Sequence, residues 1–183
     1  MNTNRLSEKM AKALNDQMTK EALASQTYLS YATWADDKGY DGIANFLFRH
    51  AHEERNHMMK FLEYIQERGA RARITAIPAP DSDPTSVNDC FEKVFKQEVE
   101  NTEAIYAVVN QSLEEKDWIT WNFIQWFVKE QAEEETLALN LLDKIKIAGG
   151  PEAKSDALYT LNKDLGLTPD DARLAQEATV EKP

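Results

Sequence analysis

The chain is short of several things. It has one cysteine, Cys90, so no intrachain disulfide framework exists, which fits a reducing compartment. Basic residues are outnumbered, 21 Lys and Arg against 32 Asp and Glu, for a net charge of −11. That balance argues against a nucleic-acid footprint, which needs a basic patch. It suits cations, although a solvated acidic surface is the commoner meaning of such a charge. No apolar run is long enough to span a membrane. The first residues, Met1 to Arg5, lead into a polar helical pattern and not a signal peptide. Neither nucleic acid nor membrane is an expected partner, and cytoplasmic residence is the expectation. Glycine and proline are scarce, six of each in 183 residues. The length is enough for one domain with a full core.

What is present is helical periodicity. A first amphipathic helix is predicted from about Leu6 to Lys38, with Ser7 near its start and Gly39 as its stop. Asp41 is placed to N-cap a second helix ending at Gly69. The short link makes the two antiparallel neighbours. From Ala70 to Pro84 the helical pattern lapses and three prolines appear. In a bundle, such a stretch is the crossover that carries the chain from one end to the other. Ser86 and Asp89 form a variant capping box for the third helix. Its expected stripe is Val87, Phe91, Val94, Glu98, Thr102, Ile105, Val109 and Leu113. The fourth helix starts after Asp117, carries Trp118, Ile119, Phe123, Trp126 and Phe127, and stops at Gly149-Gly150-Pro151. A short fifth follows from Ser155 to Leu165. The fold class is therefore all-α: a four-helix bundle with one long crossover and a fifth helix. The bundle is expected to occupy residues 1–166, and residues 167–183 to form an acidic tail.

Each long helix puts an acid on its apolar stripe. Glu54 and His57 form an E-x-x-H pair, and residues three apart on a helix share a face. Glu21, Glu54, Glu98 and the run Glu130 to Glu134 lie at similar depths in their helices, about 20 Å from the start at 1.5 Å per residue. All can converge, with His57, on one layer of the core. Buried carboxylates are costly unless paired or bound to metal, and no lysine or arginine is evident on these stripes. A multivalent cation resolves the charge. Oxygen ligands with an imidazole favour iron or manganese, with zinc as an alternative, and two ions bridged by Glu54 and Glu98 would share the load. Tyr28 either fills the core or serves the carboxylates, by hydrogen bond or as electron donor. His50 is expected to pack, and His52 to face solvent. Glu63, Glu67, Glu114, Glu115 and Glu135 fit a solvated face.

These residues resemble the non-haem ferritins, the bacterial branch most closely, over about residues 5–165. The resemblance rests on Asn15-Asp-Gln-Met-x-x-Glu21 with Tyr28, on Arg49-His-Ala-x-Glu53-Glu54-x-x-His57, on Lys96-Gln-Glu98, and on Asn122-Phe-Ile-Gln-Trp126-Phe-Val-x-Glu130-Gln131-x-Glu133-Glu134. It implies a ferroxidase centre. One iron would bind Glu21, Glu54 and His57; a second would share Glu54 and bind Glu98, with Gln131 nearby. A third iron position is implied at Glu53, Glu130, Glu133 and Glu134. It further implies oxidation of Fe(II) by oxygen or peroxide and storage of ferric oxide in a hollow shell of about two dozen identical subunits.

Two departures narrow the resemblance. Arg55 stands where bacterioferritins have their haem-binding methionine, so no haem is expected. Trp121 and Ile124 replace the acids of the animal-ferritin three-fold pore. Three other readings compete. A rubrerythrin-like peroxidase would carry a second E-x-x-H or a cysteine-rich iron site, absent here. A DNA-protecting mini-ferritin would lack the fifth helix. A non-catalytic assembly would use the acids merely to wet its core.

Overall fold

The computed structural model describes residues 3–152 and 155–167, so the greater part of the expected acidic tail lies outside the described residues. The elements are α1 (Glu8–Asp37), α2 (Asp41–Glu67), α3 (Val87–Glu115), α4 (Trp118–Ala148), a 3-10 turn (Gly150–Glu152) and α5 (Ser155–Leu167). Among the described residues there is no strand. Helix α1 packs chiefly on α2, α3 on α4, and α5 on α2. No helix among the described residues is long and apolar enough to cross a membrane.

Most helix ends follow local chemistry. The hydroxyl of Ser7 accepts from the Met10 amide, that of Ser86 from the Asp89 amide, and the Asp117 carboxylate from the Thr120 amide. Each satisfies one amide that the first turn cannot. The crossover 70–84 has no regular structure and is pinned first to α1 and then to α3. Asn15 donates to the Arg71 carbonyl and accepts from the Arg73 amide, and Lys93 donates to the Ser82 carbonyl.

The start of α2 differs from the expectation. Asp41 is the first helical residue, and the cap position is Tyr40, whose side chain caps nothing. The cap comes from α5: Oδ1 of Asn162 accepts from the amides of Gly42 (2.9 Å) and Ile43 (3.0 Å). This close approach needs Gly42, because a Cβ there would lie 1.7 Å from the Asn162 carbonyl oxygen. Arg49 adds a hydrogen bond to the Leu165 carbonyl, and Leu161 and Leu165 are buried beside Ile43 and Leu47. Asn162→Ala is expected to cost about 1 kcal/mol of stability, the usual loss for a helix cap. Urea unfolding measures this; an unchanged midpoint would mean that the cap contributes nothing.

The apolar core is two clusters, not one. Tyr31, Trp34, Ile43, Leu47, Phe91, Leu141 and Ile145 fill one end. Met10, Leu14, Met18, Phe61, Ile65, Ile105, Ile124 and Phe127 fill the other. Between them in every long helix sits a polar stretch. On α3 the lower stripe drifts by one position from the expected one: Val108 and Ser112 are buried, while Leu113 is exposed. A stripe that repeats every 3.6 residues shifts against any integer spacing, so the error grows along the helix. Trp118 and Ile119, at the start of α4, are exposed.

Candidate metal centre

The polar layer is built from one or two turns of each long helix. From α1 come Gln17, Glu21 and Tyr28; from α2 His50, Glu53, Glu54 and His57. Helix α3 supplies Glu98, Asn101 and Thr102, and α4 supplies Gln131 and Glu134; all of these are buried. Glu130 stands at the edge of the layer, 3.9 Å from Nε2 of His57.

Three groupings have their ligand atoms within 4.8 Å of one another: Glu21, Glu54 and His57; His50, Glu53 and Glu134; and Glu53, His57 and Glu130. Glu98 faces the first of these from α3 and raises the pKa of Glu54 by its charge. Its own Oε1 accepts from the Tyr28 hydroxyl at 2.7 Å, so the tyrosine serves a carboxylate by hydrogen bond. Oε2 of Glu98 accepts from the Gln131 amide at 3.3 Å.

Burial dominates the electrostatics. It raises the carboxyl pKa of Glu21 and Glu98, and pushes Glu54 and Glu134 well above the ordinary range, with help from neighbouring carboxylates. Burial and the nearby Lys60 ammonium push His57 down to about 3, so its imidazole is neutral and has a lone pair to offer. Both oxygens of Glu54 and both ring nitrogens of His57 are buried without a hydrogen-bond partner. Natural proteins rarely leave such atoms unsatisfied. Here four of them sit in adjacent turns of one helix. A divalent cation that takes carboxylate oxygen and imidazole nitrogen fits this donor set.

The expected site residues fall into two sets. Glu21, Tyr28, Glu54, His57, Glu98 and Gln131 are brought together, and Glu53, Glu130 and Glu134 adjoin them. Glu133 is not: its side chain is about half exposed and pairs with Lys129 at 3.2 Å. Acids at 130, 133, 134 and 135 leave the rotational phase of α4 undetermined, and only two of the residues 130, 133 and 134 turn inward. Three residues of the layer escaped the sequence analysis. His50 was expected only to pack. It does pack, with its ring centroid 4.2 Å from that of Phe46, but Nδ1 also lies 3.5 Å from Glu53 and 3.6 Å from Glu134. The signal was present: His50 and Glu53 are three apart, like Glu54 and His57. Gln17 and Asn101 are the other two, and neutral amides at stripe positions gave no comparable signal.

A four-helix bundle with one long crossover, holding carboxylates and imidazoles at mid-height where a cation can be bound, has the known plan of the ferritin-like class. The family model for the ferritin-like domain matches residues 11–148. A probable bacterial non-heme ferritin-like protein of Haemophilus influenzae is 41% identical over 161 residues, 88% of this chain and 96% of its own. The bacterial non-heme ferritin of Campylobacter jejuni is 39% identical over 144 residues, 79% of this chain and 86% of its own. Among solved structures, an open-pore ferritin from the hyperthermophilic archaeon Archaeoglobus fulgidus superposes with a TM-score of 0.85 at 38% identity, covering 90% of this chain and 99% of that one. The chain belongs to the ferritin family.

Proposed function

We propose that this protein oxidises Fe(II) at the mid-bundle centre and stores the ferric product as hydrated oxide inside a hollow shell of about two dozen copies of the chain. Iron is then substrate and cargo. The observation that carries the reading is the set of four buried ligand atoms on Glu54 and His57 that make no geometrically formed hydrogen bond, although Glu54 Oε2 and His57 Nδ1 lie 3.4 Å apart. One Fe(II) is held by Glu21, Glu54 and His57, and the second by Glu54 and Glu98. Each ion gives up one electron, and oxygen accepts both and leaves as hydrogen peroxide with two protons taken up. The protein fixes the spacing and supplies negative charge, which favours the ferric state.

The remaining acids provide the way onward. Glu53, Glu130 and Glu134, with His50 beside them, form the third position. Glu130, at the edge of the layer, gives this position a way outward, which suits transfer of ferric ions toward the cavity. The shell reading is supported by large apolar side chains left on the outside of the chain: Trp118, Ile119, Ile147 and Tyr159 are each more than half exposed.

Aerobic addition of Fe(II) to the metal-free protein tests the proposal. Ferric absorbance is expected to rise faster than in buffer, and size exclusion to show iron travelling with a large assembly. Retention of many more irons per chain than there are ligand sets marks storage. Oxidation no faster than in buffer would overturn the ferroxidase reading.

A further inference from the structure

Three buried amide side chains, those of Gln17, Asn101 and Gln131, link Glu21 to Glu98 in a continuous chain of hydrogen bonds. Gln17 Nε2 donates to Glu21 Oε1 at 2.7 Å and to Asn101 Oδ1 at 2.6 Å. Asn101 Nδ2 donates to Glu21 Oε2 at 3.2 Å and to Gln131 Oε1 at 3.2 Å. Gln131 Nε2 in turn donates to Glu98, at 3.3 Å from both its Oε2 and its backbone carbonyl. Gln17, Asn101 and Gln131 are all sealed from solvent, with at most 3% exposure.

The direction of this chain follows from one fact. A glutamate that holds a cation is ionised and can only accept. Both amides that touch Glu21 must therefore turn their NH2 groups toward it. For Asn101, that leaves its oxygen for Gln17 and its second N–H for Gln131. Gln131 must then offer its own oxygen to Asn101, and its NH2 is left facing Glu98. Every amide orientation is set in turn, from α1 through α3 to α4.

We propose that Asn101 is a positioning residue acting through Gln131. By holding the Gln131 carbonyl, it keeps Gln131 as a donor to Glu98 and keeps that oxygen off the cation position beside Glu98. Gln131 is thus an orienting neighbour of the second position and not a ligand to it. The position is left with few ligands, which suits an ion that must depart after oxidation. This inference rests on the metal-centre reading above.

A double-mutant cycle with Co(II), a divalent ion that oxygen does not readily oxidise in such sites, tests it. The cation position beside Glu98 is identified as the binding lost in Glu98→Ala. In Asn101→Leu, Gln131 is released and can turn its oxygen inward. Co(II) at that position is expected to bind more tightly, by about tenfold, the scale of an outer-shell change. Its visible absorption per ion is expected to fall as the coordination number rises, which loosened packing alone would not produce. In the Gln131→Leu background, Asn101→Leu is expected to change neither quantity at that position. Asn101→Ala, which likewise removes the donor without adding a charge, runs through the same cycle if the leucine variant does not fold. An equal effect with and without Gln131, or no effect in either background, overturns the proposal. A wild-type protein that binds no Co(II) overturns the metal-centre reading instead.

Discussion

Glu54→Leu is expected to give a metal-free protein that unfolds at a higher temperature than the wild type and no longer oxidises Fe(II) rapidly. Both effects have one cause. Glu54 has no exposure and no hydrogen-bond partner, and it sits where Glu98 and Glu21 oppose its ionisation. Without a cation it is a carboxyl removed from water whose neighbours include two further acids, Glu21 and Glu98. Replacing even a buried ion pair with apolar residues of similar volume is often neutral or stabilising, by about 1–4 kcal/mol. Leucine here would join the two apolar clusters across the layer that separates them. In the proposed centre the same carboxylate is the one both cation positions would share. Its loss is expected to slow oxidation by more than about 100-fold, the upper end of what losing even an outer-shell partner costs a metal site. Thermal unfolding and stopped-flow ferric absorbance measure the two. A variant that is less stable, yet oxidises iron at the wild-type rate, would remove Glu54 from the centre.

The second large effect is a dependence on pH that a bound cation offsets. Consider first the metal-free protein. Glu21, Glu54, Glu98 and Glu134 have folded-state pKa values above the ordinary 4.5, so the folded chain keeps protons that the unfolded chain releases. Their contribution to stability is whole below the ordinary value and is lost as pH rises through the folded values. His57 acts in the opposite sense: its folded value is about 3 against 6.5, so stability is lost as pH falls through that interval. Above 6.5 the histidine has nothing further to add, and the buried carboxyls set the slope, joined at alkaline pH by the Cys90 thiol and the Tyr28 phenol, which burial also raises. The metal-free melting temperature is therefore expected to fall as pH rises above 6.5. A saturating divalent cation binds the ionised ligands and displaces their protons, so its stabilisation is expected to grow over the same range. Melting curves with and without Mn(II) at several pH values check this. Parallel curves would mean that the buried carboxylates are not where the cation binds.

How far the sequence could be read depended on whether the chemistry was local. Glu54 and His57 meet because residues three apart on a helix must, and Ser7, Ser86 and Asp117 cap their helices for equally local reasons. The matched depth of Glu21, Glu54 and Glu98 was legible because a short link and a long crossover leave few ways to align four helices of similar length. Rotational phase was harder. It separates Val108 from Val109, and Glu134 from Glu133, by the turn of a single residue, and packing against the neighbour settles it. Least legible were the contacts that join distant segments through neutral groups. Asn162 takes the capping role for which Asp41 was the local candidate, and Asn101 gains its meaning from Gln17 and Gln131 on two other helices. An amide carries no charge to mark it out on an apolar stripe, so its partners have to be seen.

The contact between Gly42 and Asn162 also bears on how sequences of this kind can change over generations. A methyl group at position 42 would strike the backbone of α5, not a side chain that could swing aside. Position 42 can therefore gain a side chain only after α5 has been lost or has moved away. In a chain that has already shed its fifth helix, glycine at this place would keep only its cost to helix α2 and nothing to offset it. The order of the two changes is fixed by geometry. A residue at the first turn of the second helix thus records whether a fifth one lies across it, more than a hundred positions further along the chain.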